Sequence, residues 1–193
     1  MALDLYLVRH GGTAWTHTGQ HTSRTDLPLL PEGEEEARRL ARHLRGVDFV
    51  AVYSSDKQRA LRTAELAGFP NPQVTPLLRE YDYGEYEGLT SAEIWRMRPG
   101  WQLFEDGCPG GETPAQVYAR AQAFLSSLAG LDGAVLAFSH GHFLRTLAVA
   151  WLELDVTAAA GLALDPAAMC LLRDADRGRM LQRWNWAEHL TPA

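Results

Sequence analysis

The stretch LDLYLVRHGG, residues 3–12, decides the fold of this chain. Its first six residues are apolar apart from Asp4, which is typical of a β-strand covered on both faces. The run ends at Arg9 and His10, and two glycines follow. The sequence therefore predicts a buried strand over Leu3–Val8 that carries Arg9 and His10 at its carboxyl end.

Strand and helix patterns alternate along the rest of the chain. Pro31–Leu44 has acidic residues early, basic residues late and an apolar stripe, as expected of a helix. A helix that begins after Thr113, with Gln116 in capping position, is predicted to run to about Leu128. The other predicted elements are strands over Phe49–Tyr53 and Ala134–Phe138, a helix capped by Ser54, Ser55 and Asp56 that ends near Ala67, a helix in Phe143–Leu152, and a hairpin of Met169–Arg173 with Met180–Trp184. This alternation predicts an α/β fold with a mostly parallel sheet, whose ligands bind beyond the carboxyl ends of the strands.

Length and composition limit the classes of protein. The chain has 193 residues, of which 46% are hydrophobic and 22% charged, and this predicts one globular domain over residues 1–193. The formal net charge of −6 argues against nucleic acid or an anionic membrane as a partner. No apolar run reaches membrane-spanning length, and the first residues do not resemble a secretory signal. Cys108 and Cys170 lack the spacing of a redox pair or a disulfide scaffold, so we expect a cytoplasmic protein.

Side chains suited to phosphoryl transfer follow the predicted strands. Such a transfer needs a nucleophile, positive charge around the phosphate oxygens and an acid for the leaving oxygen. Neutral imidazole is abundant near pH 7, so His10 is the candidate nucleophile. Arg9 and Arg59 are candidates to bind phosphate oxygens, and His140 is a candidate donor. Arg62, three residues after Arg59, is expected to be a structural neighbour.

Five segments, taken in order, resemble a known family. Residues Leu7–Trp15 are similar to the signature of the histidine phosphatase, or phosphoglycerate mutase-like, superfamily. The other segments that resemble the family's pattern are Thr25–Leu29 with Gly33, Tyr53–Asp56 with Arg59, Ala60, Thr63 and Ala64, Leu78–Glu80 with Gly84, Glu87 and Gly88, and Ser139–Gly141. A lone Arg-His-Gly is unspecific, but the ordered set covers most of the chain and is highly specific.

The resemblance implies a fold, a reaction and a set of site residues. The implied fold is an α/β/α sandwich of three layers. The implied reaction removes phosphate from a small phosphorylated metabolite through a transient phosphohistidine at His10, with neither a cofactor nor a metal. Arg9, Arg59 and His140 would bind the phosphoryl group, while Glu80 would protonate the leaving oxygen and then take a proton from water. The resemblance is also compatible with a homodimer.

The segment Gly19–Asp26 resembles a narrower subgroup, which contains bacterial acid phosphatases and fungal sedoheptulose-bisphosphatase-like enzymes. This resemblance points to sugar phosphates, and the corresponding loop lies near the substrate pocket in that subgroup. The substrate contacts that this loop implies are Gln20, Thr22, Ser23 and Arg24, and Thr16 and Gly141 are further candidates for substrate binding. Two positions depart from the commoner pattern, since many members carry Glu or Gln in place of Gly12 and Asn in place of Thr16.

Three functions stay open on the sequence alone. A phosphatase is favoured over a phosphoglycerate mutase-type isomerase because Leu89–Glu112 is short and has few basic residues, whereas mutases of the family have a longer basic insertion there. A catalytically silent metabolite-binding domain is the third function, motivated by Gly12. The histidines lack the spacing of metal ligands, so metal catalysis is not favoured. Trp95–Cys108 is a candidate lid over the substrate, although aromatic residues more often pack in a core.

Overall fold

The computed structural model describes residues 3–175 and 178–190. Its six strands form one sheet. They are β1 (Leu3–Arg9), β2 (Phe49–Ser54), β3 (Gln73–Val74), β4 (Gly133–Ser139), β5 (Met169–Ala175) and β6 (Gly178–Trp186). The predicted α/β class is confirmed, and each predicted strand is present with both ends close to the predicted ones. The two-residue strand β3 is the element of the sheet that the sequence did not predict.

The order of the strands places β2, β4 and β1 next to one another. Across the sheet the order is β3-β2-β4-β1-β5-β6, and the first four of these strands run parallel. β5 runs antiparallel to β1 and pairs with β6 as the predicted hairpin. Arg9 lies opposite Ser139 in the register of β1 and β4. The residues that follow, His10 and His140, therefore leave the sheet side by side.

Helices connect the strands. In the described part of the chain they are α1 (Ala14–Thr18), α2 (Pro31–Leu44), α3 (Gln58–Leu66), α4 (Ser91–Met97), α5 (Leu103–Asp106), α6 (Pro114–Ser127) and α7 (Gly141–Trp151). Short 3₁₀ helices lie at Pro76–Leu78, Gly84–Tyr86, Val156–Gly161 and Glu188–Leu190. α2 has the predicted bounds, and α6 begins at the predicted capping box of Thr113 and Gln116. α1, α4 and α5 are too short for a periodic pattern to reveal.

Side chains of β1 alternate between the two faces of the sheet, and each face has its own core cluster. Leu5 and Leu7 pack in one cluster with Phe124 of α6. Val8 packs in the other cluster with Leu40 of α2. The sheet is therefore covered on both faces, as the continuous apolar run predicted, and the three-layer architecture is confirmed.

The cap predicted for α3 is wrong. The prediction assigned it to Ser54, Ser55 and Asp56, but the helix begins only at Gln58 and none of the three is its cap residue. Asp26, in the loop before α2, supplies the missing acceptor, because its Oδ1 accepts a hydrogen bond of 3.0 Å from Gln58 N. A loop that is distant in sequence thus provides a hydrogen-bond acceptor for a backbone N–H in the first turn of α3, which no local pattern could reveal.

The six described strands belong to one sheet, while the single domain over residues 1–193 stays a prediction. None of the helices within residues 3–175 and 178–190 combines the length and the apolar character needed to cross a bilayer. Residues 176–177, inside the predicted hairpin, lie outside the described residues.

Candidate active site

The carboxyl ends of β1, β4 and β2 bring the candidate residues together. His10 N donates to Ser139 O at 3.0 Å, and Ser55 N donates to Phe138 O at 3.0 Å. These bonds tie the chain segments that leave the three strands to one another. The imidazole rings of His10 and His140 consequently lie 5.1 Å apart between their centroids. The clustering that the sequence predicted at this edge of the sheet is therefore present.

His10 is held as a neutral ring with one nitrogen free. Its Nδ1 lies 2.8 Å from Gly11 O, a contact in which Nδ1–H donates to the carbonyl. In the described part of the chain Nε2 makes no hydrogen bond. Burial, and then the positive charges of Arg59 and Arg9, hold the pKa of His10 well below the usual value of 6.5. The ring therefore carries a lone pair on Nε2 at neutral pH.

A cavity of about 200 Å³ opens beside His10. Polar loop residues and the start of α7 form its wall. The residues that line it are Arg9, His10, Trp15, Thr16, Gly19, Gln20, His21, Thr22, Glu80, Tyr83, Ser91, Gly141, His142, Arg145 and Leu164. Seven of the eleven predicted site residues are among them, namely Arg9, His10, Thr16, Gln20, Thr22, Glu80 and Gly141.

Arg9 lines this cavity with a guanidinium that is only partly satisfied by the protein. Its Nη1 donates to Leu164 O at 2.5 Å. Its Nε is buried and has no hydrogen-bond partner among the described residues. Burial lowers the pKa of Arg9, but a guanidinium stays protonated at neutral pH. Arg9 can therefore offer charge and free N–H groups to an anion in the cavity.

Arg59 and His140 lie behind His10 rather than on the cavity wall. His140 Nδ1 accepts from Arg59 Nε at 3.2 Å, and its Nε2–H then donates to Ser55 Oγ at 2.9 Å. Both side chains are fully buried. Burial, and then the charge of Arg59, hold the pKa of His140 well below its usual value. Both nitrogens of His140 are thus engaged by the protein, which its sequence motif did not indicate.

Arg59 also holds the loop before α2. Its Nη1 donates to Thr25 O at 3.1 Å, and its Nη2 donates to Thr22 O at 3.2 Å and to Ser23 O at 3.5 Å. Burial lowers the pKa of Arg59, which is opposed by the charge of Glu80 and of other acidic groups. Arg62 instead pairs with acidic side chains outside the site, as predicted for a structural neighbour.

The carboxyl group of Glu80 lies beside the first turn of α7. Its Oε1 accepts from Tyr81 N and from Phe143 N, both at 2.8 Å. Its Oε2 accepts from His142 N at 3.1 Å. These three amides hold both oxygens of the carboxyl group in place beside the first turn of α7. The carboxyl group is therefore fixed on the cavity wall.

The loop over residues 20–26 only partly follows the prediction. Gln20 and Thr22 line the cavity, as does Thr16. Ser23 does not, because its backbone N and its Oγ bind the carboxylate of Glu87. Arg24 pairs with an acidic side chain, Asp82, and lines a second depression, which shares Glu80 with the cavity. The sequence places Ser23 and Arg24 in the correct loop, but their acidic partners Glu87 and Asp82 hold both side chains away from the cavity.

Several cavity residues were not predicted as substrate contacts. Tyr83 Oη lies 2.6 Å from His142 Nδ1, and His21 Nδ1 lies 2.7 Å from Leu89 O. Burial holds the pKa of His142 well below its usual value and raises that of Tyr83. His142 is the second residue of α7 and also lines the cavity. No sequence pattern identified Arg145 as a site residue. It is a single charged residue in a predicted apolar helix, and it lies outside the segments that resemble the family's motifs.

The candidate lid does not line this cavity. Trp101, Phe104 and Cys108 belong to the hydrophobic core, whereas Trp95 is about half exposed, at 51%. No residue of Trp95–Cys108 lines the cavity, so the structure does not support the lid predicted for this segment. Most of its aromatic residues pack in the core. Within residues 3–175 and 178–190, no three His, Cys, Asp or Glu side chains are placed to hold a metal ion.

Gly12 and Gly33 make a close backbone contact behind the loop that carries His10. A Cβ on Gly33 would lie 2.2 Å from Gly12 O, whereas a Cβ on Gly12 would meet its nearest atoms at 3.5 Å. We expect Gly33→Ala to lower the free energy of unfolding by about 1–3 kcal/mol, although alanine favours a helix. Gly12→Ala should stay within about 0.5 kcal/mol of the wild type. Urea unfolding of both variants measures these changes in the free energy of unfolding. Equal losses in the two variants would contradict the expected clash at Gly33.

Three histidines whose pKa values lie well below the usual value predict a stability that falls in acid. The depressed pKa values of His10, His140 and His142 keep these rings neutral in the folded chain. The unfolded chain takes up protons on them below about pH 6.5. The free energy of unfolding should therefore be unaffected above that pH and should fall below it, by about 1.4 kcal/mol per pH unit for each histidine. Urea unfolding at a series of pH values below and above this point tests the prediction. In His142→Asn the free energy of unfolding should depend less steeply on pH. A flat profile would refute it.

Known proteins resemble this chain over most of its length. The family model of the histidine phosphatase superfamily (branch 1) matches residues 5–187. An acid phosphatase from Mycobacterium tuberculosis is 40% identical over 172 residues, with 86% of this chain and 83% of the relative covered. A sedoheptulose 1,7-bisphosphatase from Saccharomyces cerevisiae is 33% identical over 183 residues, with 78% and 68% covered. A probable phosphoglycerate mutase from Salmonella choleraesuis is 34% identical over 150 residues, with 72% and 70% covered.

A solved structure gives the same result in three dimensions. The product of an open reading frame from Mycobacterium tuberculosis has a TM-score of 0.92 and 36% sequence identity to this chain. The alignment covers 95% of this chain and 97% of that one. The chain therefore belongs to the histidine phosphatase superfamily, branch 1.

Proposed function

We propose that this chain is a phosphatase that hydrolyses phosphomonoesters of small metabolites, sugar phosphates among them, through a phosphohistidine at His10. The observation that carries the proposal is the state of His10. Its ring is neutral, Nδ1 is tied to Gly11 O, and the ring lines a cavity shared with Arg9 and Glu80. A nucleophile, a cation and a carboxyl group thus meet in one cavity.

The first half-reaction transfers the phosphoryl group to the enzyme. The lone pair on His10 Nε2 forms a bond to phosphorus, and the bond from phosphorus to the leaving oxygen breaks. Glu80 supplies the proton to that oxygen, so the leaving group departs as an alcohol. The Nδ1–H bond to Gly11 O stabilises the positive charge that the ring gains. Arg9 binds the phosphate oxygens from the cavity wall.

The second half-reaction returns the enzyme to its starting state. Glu80, now a carboxylate, takes a proton from water, and the water oxygen forms a bond to phosphorus. The bond between phosphorus and Nε2 breaks, the electron pair returns to the ring, and inorganic phosphate leaves. One carboxyl group serves both halves, and the amides around Glu80 keep it in place between them.

The remaining predicted residues have different parts in this proposal. Arg59 and His140 act from behind His10, where the guanidinium adds positive charge and orients the second ring. Thr16, Gln20, Thr22 and Gly141 line the cavity and are proposed to contact the substrate. Ser23 and Arg24 help to hold the loop through their acidic partners.

Phosphate release from a panel of phosphorylated metabolites tests the activity itself. Mixing the enzyme with radiolabelled substrate and quenching in base should leave label on the peptide that contains His10, because phosphohistidine is stable in base and labile in acid. A chelator should not change the rate. No release from any phosphomonoester would favour the silent binding domain, and an acid-stable label or a metal requirement would overturn the mechanism.

A mutase is the second candidate, because one relative is named a probable phosphoglycerate mutase. The segment between α4 and α6 distinguishes a phosphatase from a mutase. This segment is short and packs Trp101 and Phe104 into the core, so it leaves no long cover over the cavity to shield phosphohistidine from water. Hydrolysis is therefore the proposed outcome. Comparing transfer between 2- and 3-phosphoglycerate with release of free phosphate decides between the two.

A cytoplasmic location and a homodimer complete the proposal. The described chain holds two free, buried cysteines, and burial raises the pKa of each to about 12. Such thiols suit a reducing compartment, where no disulfide is needed. Sedimentation of the purified chain measures the oligomeric state.

A further inference from the structure

Arg9 and His10 are held in place by a segment of the chain that precedes β5. Residues 164–168 bind both of them, and side chains near the end of the described chain hold this segment in turn. We propose that His189 and Asn185 are positioning residues, which act through residues 164–168 to fix the nucleophile and its neighbouring cation for phosphoryl transfer. This inference rests on the proposed function, and it adds two residues that do not line the cavity.

The segment contacts the two site residues mainly through its backbone. Leu164 O accepts from Nη1 of Arg9 at 2.5 Å, and Ala168 O accepts from the backbone N of Arg9 at 3.1 Å. Ala167 N donates to His10 O at 3.0 Å. His10 is the first residue beyond β1, so this bond takes the place of sheet pairing for its carbonyl group. A shift of the segment would therefore move the nucleophile and the cation together.

The segment depends on outside contacts, because Ala167 has a φ of +54°. This left-handed conformation is unfavourable for a residue with a Cβ and persists only where the surroundings hold it. His189 holds it directly, since its Nε2–H donates to Ala167 O at 2.9 Å. Asn185 holds the same turn at Asp165, whose N donates to Asn185 Oδ1 at 2.8 Å. The Nδ2 of Asn185 also donates to Asp165 Oδ2 at 2.9 Å.

The ring of His189 is buried and uses one nitrogen. Its centroid lies 5.3 Å from that of His43 on α2, and Arg39 of the same helix donates to Leu190 O at 3.3 Å. Its Nδ1 is buried and has no hydrogen-bond partner among residues 3–175 and 178–190. Burial lowers the pKa of His189, so the ring is neutral at pH 7 and its hydrogen lies on Nε2. An apolar ring would fill this space without an unpaired nitrogen, so the bond to Ala167 O is what the histidine adds.

His189→Phe tests the inference, because phenylalanine keeps a ring and removes the donor. In rapid-mixing measurements with nitrophenyl phosphate, the maximal rate of phosphoenzyme formation should fall by about 10-fold, since small displacements of a nucleophile are costly. The half-saturating substrate concentration should change by less than about twofold, because the cavity wall is untouched. His189→Gln, which can still donate to Ala167 O, should recover part of the rate.

A second variant and a control complete the kinetic experiment. Asn185→Gly removes the side chain that holds Asp165 and permits the same backbone, whose φ at Asn185 is +51°. It should show the same kind of loss, and it replaces His189→Phe if that variant does not fold. His43→Phe is the matched control, because His43 contacts the ring of His189 and does not bind residues 164–168. This control should keep the wild-type rate.

Imidazole ¹H–¹⁵N spectra report on His10 without any turnover. The signals of His10, assigned by their absence in His10→Ala, should move in His189→Phe and in Asn185→Gly and stay in place in His43→Phe. Wild-type rates in both test variants, an equal loss in His43→Phe, or a change confined to the half-saturating concentration would overturn the inference. If no phosphomonoester is hydrolysed by the wild type, the proposed function fails. The His10 signals then decide the inference alone: movement in the two test variants supports it, and unchanged signals overturn it.

Discussion

His10→Ala is expected to reduce phosphate release by at least about 10³-fold and to abolish the phosphoenzyme. Alanine removes the only atom of this position that can bond to phosphorus. The ring is buried and makes one hydrogen bond, to Gly11 O, so its loss leaves a small cavity and little else. Steady-state phosphate release, together with quenched labelling of the protein, measures both effects.

The matched control for His10→Ala is His17→Ala. His17 lies on α1, seven positions further along the chain, and its side chain is exposed and outside the cavity. This variant should keep the wild-type rate and the wild-type label. Turnover of the His10 variant at more than a few per cent of the wild type, with the fold intact by circular dichroism, would rule out His10 as the phosphoacceptor.

Glu80→Gln should produce the second largest loss, of about 10²–10⁴-fold for alkyl phosphates. Glutamine keeps the shape of the side chain and an acceptor for the amides of α7, but it cannot deliver a proton. A nitrophenolate leaving group needs no such proton, so nitrophenyl phosphate should still phosphorylate the enzyme quickly. Breakdown of the phosphoenzyme, which needs a base, should remain slow. Rapid-mixing measurements should therefore show a burst of nitrophenol followed by a slow steady rate.

Glu105→Gln is the control for this experiment, because Glu105 is an exposed carboxylate on α5 outside the cavity. It should show neither a burst nor a loss. If Glu80→Gln slows nitrophenyl phosphate and alkyl phosphates by the same factor without a burst, the carboxyl group has an electrostatic or structural role and does not transfer protons.

Local patterns predicted the parts of the molecule that depend on neighbours in sequence. The apolar run before Arg9 and the charge order of α2 each describe one element, and both elements are present with nearly the expected bounds. Parallel strands share one carboxyl edge, so the meeting of His10 with His140 also followed from the sequence.

Long-range contacts determine what the sequence could not reveal. Asp26 caps α3 from another loop, and Glu87 holds Ser23 away from the cavity. The motif of His140 indicated a phosphate ligand, yet Arg59 and Ser55 occupy both of its ring nitrogens. Such hydrogen-bond partners lie far apart in the chain, and no spacing rule connects them.

The hydrogen bonds of Arg59 have a consequence for attempts to redesign this enzyme. One guanidinium joins the backbone of Thr22 and Thr25 to the ring of His140, while Asp26 joins the same loop to Gln58. The loop and the start of α3 therefore form a single module. A loop from a relative should be transplanted together with the first turn of α3, because an exchange of residues 20–26 alone would disturb the histidine pair along with the selectivity.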